Sequence, residues 1–218
     1  MALLDSEKHT NAPRPDSLPP GAPGIPHDYL ARLPQLHAEA ARDARLGGFL
    51  SRSVHAAGLL MLAGAVSLLA GGGTLQSDFV WSVLVLAGVA AMIVNHLRGQ
   101  ATPLAKVNLD TAAGDLRAIL LYTGFAWGAG AFLALPAAPG AVLALAFAAG
   151  PALLMVMLLK DEGGIAAFAA PCFGLTVAAA LIKHWPGGQI IACELVAACA
   201  VIMLFSHRSN APLQPGAA

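Results

Sequence analysis

Between Val54 and Phe205 the chain is an almost unbroken series of apolar runs, and nothing outside that stretch is able to build a competing core. Each run is about 17 to 21 residues, close to the ~20 that a helix needs to cross a ~30 Å hydrocarbon layer. Charge supports the same reading. Only 11% of the residues are Asp, Glu, Lys or Arg, against roughly a quarter in a soluble domain, and they gather at the ends of the apolar runs. With 57% hydrophobic residues and a mean hydropathy of +0.70, the chain reads as an all-α membrane protein.

The runs predict spans at Val54–Ala70, Phe79–Leu97, Leu116–Leu135, Gly140–Leu159, Gly164–Ile182 and Gln189–Phe205. Three connections are short and carry Gly or Pro suited to tight turns: Gly71–Asp78, Pro136–Pro139 and Lys183–Gly188. Connections so short predict a six-helix bundle built as three antiparallel hairpins. Basic residues fall on the other side of the spans. Arg42, Arg45 and Arg52 precede the first, Arg98, Lys106 and Arg117 separate the second from the third, Lys160 follows the fourth and Arg208 the sixth. Lys183 alone stands on the opposite side, so the positive-inside rule predicts cytoplasmic N- and C-termini.

Outside the spans, residues 1–33 read as a disordered cytoplasmic arm, with Pro13, Pro15, Pro19, Pro20, Pro23 and Pro26 too dense to pack a core. No apolar h-region precedes Val54, so no cleavable signal peptide is expected. Residues 34–52 read as an amphipathic juxtamembrane helix, with a bend allowed at Gly47 and Gly48 before the membrane domain, 53–206. A short tail, 207–218, follows. Thr102 before Pro103 resembles a helix N-cap with proline at the first helical position and predicts a short in-plane helix there.

Few residues offer chemistry. Glu194 lies inside the sixth span, a few residues to the outer side of its middle. A carboxyl at that depth is expected to turn inward with a partner. Two roles suit it: a proton-coupled or ligand-sensing group, or a neutral structural Glu bonded to Ser67, Ser82, Thr123 or Thr176. Gly124 with Gly128, and Ala126 with Gly130, repeat the small-residue spacing that lets helices approach closely in lipid. Pro171 predicts a kink in the fifth span. Trp81 and Trp185 are expected in the outer aromatic belt, and the deeper Trp127 in packing. Lys106, Asp110, Asp115, Arg117, Lys160, Asp161 and Glu162 make a mixed-charge cytoplasmic face suited to docking a soluble partner.

His55, His96 and His207 fall near one predicted level, but their local spacing supports neither metal nor haem, and no cofactor is expected. Cys172, Cys193 and Cys199 fit neither a zinc pattern nor a disulfide framework. A net charge of +0 gives no field for nucleic acid. There is no paired-carboxylate site, activated nucleophile, P-loop or Rossmann glycine pattern, so no enzymatic activity is expected. A transporter would show polar groups along a path and matched broken helices in its two halves, and Pro171 has no counterpart in the second span. The sequence thus points to a regulatory, sensory or accessory membrane module that acts through a protein partner or as a homo-oligomer, with a proton-coupled transporter using Glu194 as the alternative. Richness in Ala, Gly and Leu points to a bacterial inner membrane.

Overall fold

A computed structural model describes residues 27–70, 73–101 and 108–210, which form six helices and no strand. In chain order these are α1 (His27–Ala70), α2 (Leu75–Ala101), α3 (Leu109–Leu133), α4 (Ala141–Leu159), α5 (Glu162–Ile182) and α6 (Gly188–Asn210). Each is long and apolar enough to cross a membrane. The chain divides into two units at Ala40 and Ala41. In the first, residues 27–40 are helical, so the helix starts before Pro34; in the second, Gly47 and Gly48, which allow a bend, lie within helical α1. The proline-rich arm before His27, the expected in-plane helix with Lys106, and the tail after Asn210 lie outside the described residues.

Helix ends follow local chemistry. The third helix begins seven residues before the apolar run that announced it, at Leu109 instead of Leu116. Asn108 sets that start, its side-chain oxygen accepting from the backbone N–H groups of Asp110 (3.1 Å) and Thr111 (3.3 Å). At the same end of the bundle α4 stops at Lys160, whose left-handed φ of 51° turns the chain. Asp161 then caps α5 by accepting from Gly164 N–H at 2.7 Å.

Within residues 41–210 the central pair is α3 on α5. On the far side of α3 lies α2, while α6 packs on both α5 and α4. Two glycines make the central approach possible. A Cβ at Gly124 would overlap the Phe168 carbonyl oxygen, and one at Gly128 would lie 2.9 Å from Leu175 Cβ and 3.0 Å from Cys172 O. Pro171 sits in this contact, its ring beside Gly124. Gly130 points elsewhere, opening room for Trp81 and Phe147, and Ala126 is buried in the core.

The tryptophans do not form a belt. Trp81 is 1% exposed and Trp185 3% exposed, both inside the core. Trp81 meets Trp127 edge to face, with ring centroids 5.5 Å apart, and Phe147 completes the cluster at 5.7 Å from Trp127. Space left by Gly130 admits the indole of Trp81, and packing outweighs an interfacial position.

One contact in this cluster answers a backbone defect. Pro151 lies inside α4 and has no N–H to give the carbonyl four residues earlier, that of Phe147. Trp127 supplies the missing donor from α3: its Nε1–H donates to Phe147 O at 2.9 Å. Pro151 was visible in the sequence, inside an apolar run, and marks this site as plainly as Pro171 marks its own.

Candidate functional site

Polar side chains stand out at one charged end of the bundle and at a single position on the flank of α6. At the opposite end Thr74 and Ser77 cap the start of α2 through reciprocal hydrogen bonds, and Lys183 Nζ donates to Phe132 O at 2.9 Å. The charged end is made by the start of α3, the α4–α5 link and the end of α6. Its centre is Arg117, whose Nε and Nη2 donate to Asp161 Oδ2 and Oδ1 at 3.0 and 2.8 Å. The same carboxylate caps α5, so the pair joins α3 to the first turn of α5. Phe49 of α1 lies under the guanidinium, 6.0 Å from ring centroid to Cζ. Gly163 and Gly164 leave the room: a Cβ at Gly163 would lie 2.9 Å from Arg117 Nε, and one at Gly164 2.9 Å from the Phe49 ring.

Around that centre the pairs are more exposed. Arg42 donates to Asp110 at 2.6 Å, and His207 Nδ1 lies 3.2 Å from Glu162 Oε1. Asp115 and Lys160 are exposed. Of the residues expected on a docking face, Arg117 and Asp161 are therefore spent on each other and on α5. Asp110, Asp115, Lys160 and Glu162 remain on the surface, and Lys106 lies outside the described residues.

The three histidines differ. His55 is exposed, His96 is half-buried with Nδ1 3.4 Å from Leu50 O and Nε2 3.0 Å from Gln100 Nε2, and His207 faces Glu162. Among the described residues no three His, Cys, Asp or Glu side chains group as a metal-ligand set.

Glu194 is the other place. It is exposed on the outer flank of α6, while Ile191, Leu195 and Ile202 turn into the bundle. The hydroxyls expected to meet it are engaged within their own helices. Ser82 donates to Asp78 O at 2.7 Å, Thr123 to Ile119 O at 2.7 Å and Thr176 to Cys172 O at 2.8 Å. Ser67 instead lines an apolar cleft of about 530 Å³ between α1 and the α3–α4 pair, walled by Leu62, Val66, Trp127, Phe147 and Leu154. Among the described residues Glu194 has no hydrogen bond or ion pair.

No protein-family model, curated protein or solved structure matches this chain.

Proposed function

We propose that this protein is a non-catalytic, multi-pass membrane module, regulatory, sensory or accessory in role, that acts through a protein partner in a bacterial inner membrane. One observation carries the reading. Glu194 stands about 9 Å along α6 from its first residue, on the surface of the bundle with no group among the described residues to meet it. A carboxyl facing hydrocarbon costs a few kcal/mol, and a second membrane protein is the means of removing that cost. Transport through the bundle would require the carboxyl among the inner helix faces, so its outward position favours association.

Orientation belongs to the same proposal. By the positive-inside rule, the basic residues at the charged end favour a cytoplasmic side for that end, for both termini and for the exposed Asp110, Asp115, Lys160 and Glu162. The short connections then make three hairpins with little chain on the far side. The test is purification in mild detergent from the native host, followed by mass spectrometry and an absorption scan. A stoichiometric protein partner is expected. Isolation of the chain alone, without a chromophore, would overturn the reading.

A further inference from the structure

Resting on the partner reading, we infer the chemistry of that partner: a membrane-spanning helix that presents a lysine or arginine to Glu194 along the exposed flank of α6. The flank has the form of a helix-docking seam. Ile190, Glu194, Ala197, Val201 and Leu204 recur at alternating steps of four and three residues, the spacing at which one helix faces another along its length. Ile190 is 66% exposed, Val201 63% and Leu204 63%, so none of the six described helices covers the seam. Cys193, Ala197 and Ala200 keep its upper part low, so a second backbone can come near.

Charge decides among the occupants. Acyl chains fill an apolar seam but offer a carboxylate no donor. A second copy docked by the same flank in the same orientation would bring two Glu194 side chains together, and one of them would have to take up a proton to relieve the like-charge repulsion, a cost that a basic partner does not carry. A basic side chain on a foreign helix meets the carboxylate with a charge-assisted hydrogen bond, and the two groups cancel each other's charge in the bilayer. Intramembrane ionisable residues that pair with one another follow this rule. Glu194 is therefore the specificity determinant of the seam, and its apolar neighbours supply shape.

The full chain, reconstituted in phosphatidylcholine vesicles and labelled on a terminal tag, is mixed with synthetic Leu/Ala membrane-spanning helices. These carry Lys, Leu or Glu at one position about a third of the way along. Energy transfer between labels reads association. The Lys helix should bind about tenfold more tightly than the Leu helix, the scale of one interhelical polar contact in lipid. Glu194→Gln and Glu194→Leu should abolish that preference while the melting temperature stays unchanged. Equal binding of all three helices, as for a carboxylate that reaches the headgroups, would overturn the inference, and so would self-association of the full chain that depends on Glu194. The partner reading falls separately. If the native partner still purifies with the Glu194→Leu protein, that reading stands and the seam is not its site.

Discussion

Trp127 and Trp81 are adjacent in one aromatic cluster yet differ in what their indole nitrogens do. Trp127 Nε1 donates to the carbonyl that Pro151 leaves without a helical partner, while Trp81 Nε1 is buried and donates to nothing among the described residues. Replacing each by Phe removes similar volume, but only Trp127→Phe strands a buried acceptor. Trp127→Phe should therefore cost about 1–3 kcal/mol more than Trp81→Phe in detergent unfolding. The excess should shrink in a Pro151→Ala background, where residue 151 regains an N–H for Phe147 O. Equal costs for the two Phe variants would show that the indole bond contributes nothing. At this scale the sequence was partly legible. It flagged Glu194 as the ionisable group at depth but turned it inward, whereas the structure leaves it exposed; lipid and protein core are alike in polarity, so its apolar neighbours gave no sign of the outward face. The same ambiguity sent Trp81 and Trp185 to a lipid-facing belt in place of the core.

Among elements, the tightest constraint is the α3–α5 contact at Gly124 and Gly128. Gly124→Ala would drive a methyl group into the Phe168 carbonyl and within 2.9 Å of Pro171 Cγ, forcing two helix backbones apart. A loss of about 1–3 kcal/mol is expected in the same unfolding assay. Gly174→Ala is the matched control: nothing lies within 4 Å of its would-be Cβ, so it should be neutral or stabilising by up to about 1 kcal/mol. Equal losses at both positions would remove the glycine contact as the cause. The six apolar helices were legible because length and hydropathy suffice to count them. Their starts were less so. Asn108 begins α3 among polar residues, where a hydropathy window sees no helix, and α1 reaches back past Pro34 for the same reason. The pairing of α3 with α5 was hidden too: the glycine spacing announced a close contact but carried no address for its partner.

At the scale of the whole molecule the threading is open to direct measurement. In a Cys193→Ser background, since Cys193 is an exposed thiol, single cysteines at Gln76, Gln189 and Asn108 report the two ends of the bundle. Gln189 is preferable to Gly187, whose φ of 69° would strain a side chain. Membrane-impermeant reagent added from outside should label Gln76→Cys and Gln189→Cys but not Asn108→Cys. The reverse pattern would invert the orientation, and with it the cytoplasmic side proposed for the charged end. The bond from α3 to α4 also has a bearing on how the protein is made. A helix that carries Pro151 enters the bilayer with one carbonyl that its own backbone cannot serve, a poor state in a medium without water. The indole that serves it lies twenty positions earlier in the chain, so during synthesis the donor reaches the membrane before the acceptor. The fourth helix is thus born beside the group it needs, and the order of translation itself guards the defect.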